Sequence, residues 1–356
     1  MPMPTLAAED LKTLGVALFA AVGVPPADAE LVADHLVESS LLGHDSHGPL
    51  RFPQYVEMVR QGTVVPGAPT QVVRATRCMA QLSGNWNFGP VSAEAAMSMA
   101  LELAAASPLV VVTLKDCNHV ARLGRFAALA AQQNHIALVA ANGHGGDLAV
   151  APFGGTQRRL PTNPLCLALP TQRPWPLVLD MTTSAISGGA LRLHQNLDTP
   201  TPPDRIIDAQ GQPTTDTRAY YGPPPGAMLP LGFPGAGHKG FGLAVMVDIL
   251  AGALSGAGCS RAKPERSGNA LFIALIDIAA FTPLEKYFRE TEQFISWIKS
   301  SPPAAGFEEV LLPGEQAWRI SKERLAQGIA VDERAWSQIS TLAAELGVAL
   351  PTPLSA

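Results

Sequence analysis

The chain has 356 residues, of which 47% are hydrophobic and 15% are charged, which excludes a largely disordered protein and predicts two or three compact units. The formal net charge of -5 is small for this length and no run of Lys or Arg occurs, so nucleic-acid binding through a basic face is not expected. The N-terminal residues lack the pattern of a signal peptide, and we therefore expect a cytoplasmic protein without membrane contact.

The first ninety residues are predicted to be helical. Thr5 is a candidate cap for a helix over residues 5–22, and leucines near helical spacing predict a second helix over 28–42. This second helix leads the chain to Gly43. A third, alanine-rich helix is predicted over about 92–106.

Short apolar runs then alternate with helical pieces, which is typical of a mixed α/β protein. Strands are predicted over 109–114, 136–141, 165–169 and 177–181, with a helix over 123–132. Residues 198–236 are rich in Pro, Thr and Asp and carry a turn signal at 208–211. We expect this segment to be a loop excursion that borders the functional site.

The C-terminal third begins with the longest apolar stretch of the chain, residues 241–259. Asp248 and several glycines interrupt the stretch, so a buried core helix over 241–254 is predicted and not a membrane span. A buried strand over 270–278 follows, and a capping box at 282–285 predicts a helix to about residue 299. The pattern then predicts a strand over 309–312 and a final helix to 346, which Asp332 caps.

The segment from Gly43 to Arg51 carries the strongest chemical signal. His47 can donate or accept a proton near neutral pH, with the hydroxyl of Ser46 beside it. Arg51 can hold a carboxylate through two hydrogen bonds. A single histidine is more often a surface or structural residue than a catalyst. With Ser46 and Arg51 beside it, His47 equally suits an enzyme that polarises a carbonyl or imine next to an acid group.

Metal and disulfide chemistry are not predicted. His44 and His47 are three residues apart, but no third ligand follows at a recognisable spacing. The cysteines are far apart and form no CxxC pair, so free buried thiols in a reducing compartment are expected. They are Cys78, Cys117, Cys166 and Cys259.

The glycine fingerprint of a Rossmann nucleotide-binding domain is absent. Residues 143–146 follow a predicted strand but lack the third glycine, and neither a Walker A motif nor a G-x-S-x-G elbow occurs. Several polar turns after strands or before helices are compatible with ligand binding and equally with ordinary turn chemistry. They are Asn118–His119, residues 162–164, residues 180–184 and the anion-binding candidate 237–240 with Lys239.

Taken in order, these pieces resemble the type-2 malate/L-lactate dehydrogenase family, over nearly the whole chain. The family includes malate, sulfolactate and ureidoglycolate dehydrogenases and the reductases of cyclic imino acids such as piperideine-2-carboxylate. The matching motifs are Ser46-His47-Gly48 with Arg51, Asn118-His119, Thr162-Asn163-Pro164, Asp180-Met181-Thr182-Thr183-Ser184, residues 237–243 and Leu312-Pro313-Gly314-Glu315.

The resemblance implies a non-Rossmann nicotinamide-binding fold of the α/β (α+β) type, with a mostly antiparallel central sheet. It also implies a homodimer and a discontinuous helical domain. On this basis residues 1–75 plus 315–356 form the helical domain with the Ser-His-Gly motif. Residues 76–314 form the cofactor-binding and substrate region.

The resemblance also implies roles for individual residues. His47 resembles the general acid, assisted by Ser46, and His119 matches the acid/base of some members. Arg51 resembles the carboxylate clamp, with Thr162 facing the substrate. The positions that resemble cofactor contacts are His119, Val120, Ala121, Arg122, Leu123, Asp180, Met181, Thr182, Lys239, Leu312, Pro313, Gly314 and Glu315.

The substrate and the preferred cofactor stay open at this level. Imino-acid reductases of the family place an aspartate where Ala190 stands, and malate-type members tend to carry basic residues at Gly188 and Ala190. We expect a small carboxylic acid of the 2-oxo/2-hydroxy type, with a 2-imino acid as the alternative and a non-catalytic binding protein as a third reading. The cofactor is NADPH or NADH, with NADP slightly favoured. The candidate contacts to a 2′-phosphate, which are equally candidate surface charges, are Arg158, Arg159 and Arg192.

Overall fold

A computed structural model describes residues 3–145, 147–262 and 265–354, so Gly146 of the glycine-rich stretch and the outermost residues of both chain ends lie outside the described part. Within these ranges the helices are α1 (Ala8–Ala20), α2 (Pro26–Leu41), α3 (Phe52–Arg60), α4 (Gly89–Ala104), α5 (Leu123–Gln132), α6 (Gly188–Asn196), α7 (Thr217–Tyr221), α8 (Gly237–Val247), α9 (Leu284–Lys299), α10 (Glu315–Gln327) and α11 (Glu333–Leu346). The strands are β1 (Thr5–Leu6), β2 (Gln71–Ala75), β3 (Met79–Ser83), β4 (Leu109–Cys117), β5 (His135–Gly143), β6 (Leu165–Leu169), β7 (Leu177–Met181), β8 (Ile206–Ile207), β9 (Pro213–Thr214), β10 (Ala227–Met228), β11 (Asn269–Asp277) and β12 (Ile329–Ala330).

A seven-stranded sheet in the order β2-β3-β4-β11-β5-β6-β7 forms the centre of the molecule. Only β3 and β4 pair in parallel, and the other neighbouring strands are antiparallel. The mixed α/β class is therefore confirmed. Antiparallel pairs thus predominate in the central sheet.

Helices α4 and α5 cover one face of this sheet. Alanines of both helices pack with Phe126 against the valines and leucines of β4, β5 and β11. The opposite face carries α8, which buries Val247 against Ala140 and Phe272. The sheet is therefore covered by helices on both faces, but the face under α4 and α5 buries many more apolar side chains than the face under α8.

A second apolar core joins the two ends of the chain. Leu11, Leu36 and Phe52 from the N-terminal helices pack together with Ile339 of α11. Strand β1 pairs with β12 in the same region. The C-terminal helix thus packs on the N-terminal ones, while the division into two domains at residues 75/76 and 314/315 stays a prediction.

The prediction that the first ninety residues are helical is wrong in part. Residues 71–75 and 79–83 are β2 and β3, the edge of the central sheet. All five residues of β2 are exposed, so the apolar alternation that marks a half-buried strand is absent there. Thr5 lies in β1 and does not cap α1, whose N-cap is Ala7.

The excursion 198–236 is more structured than predicted. It forms the three-stranded sheet β10-β8-β9 and the short helix α7, and it buries Ile206, Tyr220 and Met228. The predicted turn at 208–211 is confirmed, because the Asp208 carboxylate accepts hydrogen bonds from the backbone N–H groups of Gln210 and Gln212. Buried side chains separated by long polar stretches give no periodic signal.

Three predictions in the C-terminal third need correction. Helix α8 begins at Gly237 and continues as a π-helical turn over Asp248–Ala253, but its outer side is exposed, so it is not a buried helix throughout. Residues 309–312 form no strand, and Thr282 makes no side-chain cap, since α9 begins after Pro283. The cap of α11 by Asp332 is confirmed.

Candidate active site

The segment Gly43–Arg51 leaves α2 through a tight reversal and forms two short 3-10 turns, Asp45–His47 and Pro49–Arg51. Gly43 has a φ of +82°, a left-handed conformation that glycine adopts without strain. From the C-terminal part of the chain, Arg324 pairs with the Asp45 carboxylate at 2.6 Å. The segment is therefore held by its own turns and by a distant helix.

Ser46 and His47 form a hydrogen-bonded pair. The Ser46 hydroxyl lies 3.0 Å from His47 Nδ1. Burial, with Arg51, His44 and Arg122 nearby, lowers the pKa of His47 to about 3. The imidazole is therefore neutral at physiological pH and can accept a proton.

His119 lies directly against His47, although 72 positions separate them in the chain. The two rings stack with their centroids 5.7 Å apart and an interplanar angle of 13°. Burial first, and then Arg51 and His47, keep the pKa of His119 well below its usual range. The structure thus brings both candidate acid/base residues into one site, both uncharged.

Tyr55 of α3 holds His119 in place. The phenol oxygen is 2.8 Å from His119 Nδ1 and 3.2 Å from the His119 carbonyl oxygen. One protonation arrangement satisfies both contacts: Nδ1–H donates to the phenol and the phenol donates to the carbonyl. Burial raises the pKa of Tyr55, so the phenol keeps its proton.

Arg51 is oriented by short-range contacts. Its Nε donates to the Ser46 carbonyl at 2.8 Å and its Nη1 donates to Gln54 at 2.6 Å. Among the described residues nothing accepts a hydrogen bond from Nη2, so this nitrogen remains for a ligand. Burial lowers the pKa of Arg51, and the nearby Asp147 partly offsets this effect.

A second polar cluster adjoins the histidines. Arg122 is 7% exposed and donates to Glu38 at 2.9 Å, while its Nε is buried without a hydrogen-bond partner among the described groups. Asp180, at the end of β7, accepts from the Gly124 backbone N–H at 2.7 Å. Burial lowers the pKa of His44, Arg122 lowers it further and Asp180 raises it, so both charged groups lie near His44. Through His44 this cluster is continuous with the Ser46–His47 segment.

Between and beside His119 and Arg122, the apolar residues Val120, Ala121 and Leu123 leave mainly their backbone for ligand contact. Val120 and Leu123 are buried in the sheet core, and Ala121 packs into the N-terminal core with a left-handed φ of +57°. An alanine in this conformation is strained, and such strain is concentrated at functional sites.

Thr162 is fixed from two sides. Its carbonyl oxygen accepts hydrogen bonds from the hydroxyls of Thr182 and Thr183. The next residue, Asn163, donates to the buried Asp248 carboxylate at 2.9 Å. The motifs 162–164 and 180–184, the second of which begins with Asp180, therefore form one hydrogen-bonded unit.

The remaining predicted cofactor contacts lie on elements other than those that carry the histidines. The Pro313 carbonyl accepts from the Val178 N–H of β7, which places residues 312–314 beside the strand that carries Asp180 and Met181. The Glu315 carboxylate, however, is occupied by Lys299 and Arg319. Lys239 is exposed in the first turn of α8, and no hydrogen bond among the described residues connects it to His47.

Two of the three arginines considered for a 2′-phosphate have other partners. Arg158 donates to the backbone of Gly226 and Tyr220 and lies over the Tyr220 ring at 3.9 Å. Arg159 bonds to its own neighbours. Arg192 is exposed and close enough to Arg51 to affect its pKa.

Sequence reasoning missed several residues of this site. Tyr55 follows Arg51 by one helical turn, so helical spacing was the signal that could have found it. No signal points to Glu38, whose partner Arg122 lies 84 positions away, or to Gly189, which packs against Ser46.

A metal site, a membrane-spanning helix and a disulfide each place requirements on the described residues. Within the described ranges, no group of three or more His, Cys, Asp or Glu side chains could hold a metal ion. None of the described helices combines the length and hydropathy needed to cross a bilayer. All four cysteines have free thiols. Cys117 and Cys166 are buried and Cys259 is partly exposed, but Cys78 is exposed, so the prediction of a buried thiol is wrong there.

The sequence model of the malate/L-lactate dehydrogenase family matches residues 6–340 of this chain. The chain belongs to this family. The L-lactate dehydrogenase of Cupriavidus necator is 35% identical over 340 residues, which cover 94% of this chain and 96% of that protein. The predicted family and the prediction of an oxidoreductase are both confirmed.

Solved structures agree with this membership. Malate dehydrogenase from Pyrococcus horikoshii OT3 superposes with a TM-score of 0.88 at 32% identity, covering 98% of this chain and 97% of that one. The Δ1-piperideine-2-carboxylate reductase of Pseudomonas syringae superposes with a TM-score of 0.79 at 25% identity, covering 95% and 99%. The family implies a nicotinamide cofactor and a small acid substrate.

Proposed function

We propose that the protein is an NAD(P)H-dependent oxidoreductase that interconverts small 2-oxo acids and 2-hydroxy acids. The observation that carries this proposal is the grouping of a neutral His47, hydrogen-bonded to Ser46, with Arg51 anchored on the Ser46 carbonyl. A proton carrier and a carboxylate clamp are thereby held a few residues apart. This is the arrangement that chemistry at the carbon next to a carboxylate requires.

His47 acts on the proton of the substrate hydroxyl. With a pKa of about 3 its imidazole is free to accept that proton when a 2-hydroxy acid is oxidised. In the reverse direction, the bound carboxylate adds a negative charge that raises the pKa of His47 and favours the imidazolium donor. Ser46 orients the ring through Nδ1.

Arg51 orients the acid. Its free Nη2 and the remaining N–H of Nη1 can bind two carboxylate oxygens side by side. Thr162, held by Thr182 and Thr183, is proposed as a second polar contact to the substrate. These contacts place the reacting carbon near His47.

The residues at 119–124 and 180–182 fit a nicotinamide cofactor. Gly124 lies so close to its neighbours that a Cβ there would be 2.4 Å from Arg122 Nη1 and 2.9 Å from Asp180 Oδ2. Together with the unpaired Arg122 Nε, this forms a narrow polar cradle with spare donors. The bound cofactor supplies the hydride; residues 312–314 and Lys239 are proposed as further contacts, with NADP slightly favoured over NAD.

Reduction of 2-imino acids is the second candidate. The similarity to the piperideine-2-carboxylate reductase favours it, whereas Ala190, which stands where imino-acid reductases of the family place an aspartate, departs from their pattern. The same proton carrier and clamp serve a C=N bond as well as a C=O bond.

A homodimer is proposed from an exposed apolar strip on α8 and the π-helical turn after it. Its members are 37% to 60% exposed, too large an apolar surface for a helix that faces only water. They are Leu243, Met246, Ile249, Leu250 and Leu254. We expect light scattering on the purified protein to report a dimer, and Met246→Asp to shift it towards the monomer.

A spectrophotometric screen tests the proposed function. NADPH or NADH oxidation is followed with a set of 2-oxo acids, alone and with ammonia or methylamine, and with cyclic imino acids. Turnover of an oxo acid without amine supports the first proposal, and turnover only of imines supports the second. No turnover, together with no quenching of tryptophan fluorescence by millimolar NADPH or NADH, contradicts both.

A pair of arginine variants shows whether turnover arises in this site. Arg51→Ala removes the proposed clamp, while Arg60→Ala removes a charge at the end of α3, the helix that follows Arg51, where Arg60 pairs with Glu345. Activity must fall in the first variant and persist in the second.

A further inference from the structure

Helix α6 approaches the catalytic segment more closely than a side chain allows. A Cβ placed on Gly189 would lie 2.0 Å from the Ser46 Cβ, 2.8 Å from its Oγ and 3.3 Å from its Cα. Contacts below about 3 Å are essentially never made by real Cβ atoms. The backbone of Gly189 is thus in direct contact with the residue that orients His47.

Neither partner of this contact is free to move away. The first turn of α6 is capped by Ser187, whose hydroxyl accepts from Ala190 N at 3.2 Å, and Leu191 is completely buried. On the other side, the Ser46 carbonyl holds Arg51 Nε, and the His47 N–H is bonded to the His44 carbonyl at 2.9 Å. A side chain at position 189 must therefore displace Ser46.

The neighbouring glycine shows that this constraint belongs to one position. A Cβ on Gly188 would meet only the end of the Met228 side chain, at 3.9 Å. Neither glycine has a left-handed φ, so alanine is sterically acceptable to the backbone at both positions. What separates the two is the contact with Ser46.

We propose that Gly189 is a positioning residue that sets the Ser46 hydroxyl at His47 Nδ1 by packing its bare backbone against Ser46. Gly189 supplies no chemistry of its own. This inference rests on the proposed function of the Ser46–His47 pair. It makes α6, which follows the motif 180–184, part of the support of the proton carrier.

Gly188→Ala and Gly189→Ala form a matched pair for the first test. We expect Gly189→Ala to lower kcat by about 3- to 10-fold, the loss expected when the Ser46 hydroxyl no longer bonds to His47 Nδ1. The Kd of NADPH or NADH should not change, and Gly188→Ala should stay within about twofold of the wild type. If the wild type turns over its acid and the two variants are equally active, this inference fails while the proposed function stands. If the wild type has no activity, the proposed function fails, and thermal unfolding of Gly189→Ala with and without Ser46→Gly still tests the contact.

Ser46→Gly provides the second test, because it removes the atoms with which a side chain at 189 collides. In the Ser46→Gly background, Gly189→Ala should cause no further loss of kcat and no further drop in Tm. A purely structural defect at 189 would lower both again and would overturn the proposal. If Gly189→Ala alone does not fold, Ser46→Gly/Gly189→Ala must fold; failure of this double variant beside a folded Gly188→Ala also overturns it.

Discussion

His47 and His119 face each other as stacked rings, but their supports come from different parts of the chain. His47 is bonded to the hydroxyl of the preceding residue, within a turn that also holds Arg51. His119 is bonded to Tyr55, which is 64 positions away and belongs to the N-terminal helical core. The position of His47 is thus set by neighbouring residues in the sequence, and that of His119 by packing between distant elements.

From this difference we infer different functions for the two rings. His47 lies in the same turn segment as Arg51, the proposed carboxylate clamp, and would therefore exchange a proton with an acid bound there. The Nδ1 of His119 is occupied by a buried phenol, and its ring forms the wall against which His47 stacks. We therefore assign the proton transfer to His47 and a supporting role to His119.

Removal of the rings gives the largest expected effect. His47→Ala should lower kcat by about 10²- to 10⁴-fold, the usual contribution of a general acid or base, with cofactor binding retained. His119→Ala should lower it by a smaller factor. Steady-state kinetics and fluorescence titration with NADPH measure both quantities, and a greater loss in His119→Ala would reverse the assignment.

Arg51→Ala separates binding from proton transfer. Hydrogen bonds to charged groups contribute about 1.5–3 kcal/mol, so the KM for the acid should rise about 10- to 100-fold. The change in kcat should be smaller than in His47→Ala. An unaltered KM would show that the clamp is elsewhere.

The acid limb of the pH profile sharpens the comparison further. Burial and the nearby Arg51 lower the pKa of His47 to about 3, so kcat/KM for oxidation of the hydroxy acid should stay nearly flat from pH 8 to pH 5.5. A histidine of pKa near 6.5 would instead lose about tenfold at pH 5.5. In Arg51→Ala the acid limb should move to higher pH, because a cation that disfavours the imidazolium is gone.

The same pKa values predict how stability depends on pH. Buried His35 and half-buried His47 and His119 all have lowered pKa values, so below pH 6.5 the unfolded chain binds protons that the folded chain does not. The free energy of unfolding therefore falls as the pH is lowered from 6.5 towards 3. Thermal unfolding between pH 8 and pH 5 measures this, and a Tm independent of pH would contradict it.

The smallest expected effects come from the two hydroxyls that hold the rings. Tyr55→Phe leaves a buried ring nitrogen or carbonyl without a partner and should reduce stability by about 1–3 kcal/mol, with little change in kcat. Ser46→Ala should reduce kcat by about 3- to 10-fold, the value of one ordinary hydrogen bond, with little change in stability. Equal effects of both variants on stability and on kcat would remove the distinction between the two rings.

Much of the fold was predictable because its elements carry strong periodic signals. Strands β6 and β7 and helix α5 have the predicted bounds, and β4, β5 and α4 differ from prediction by a few residues at their ends. The failures have a common cause: in these regions the burial of the side chains does not follow the apolar pattern of the sequence. Strand β2 is exposed over its whole length, the excursion 198–236 buries only scattered side chains, and the outer face of α8 is apolar without being covered.

By itself, the sequence determined the chemistry of one segment and the family of the whole. Ser46, His47 and Arg51 lie within six residues, so short-range geometry already places a hydroxyl, a proton carrier and a cation together. Only the tertiary structure decided what surrounds them. His119 with its partner Tyr55, and Gly189 of α6 against Ser46, reach the site from distant positions in the chain. Contacts of this kind depend on packing between elements, and no local pattern of residues records them.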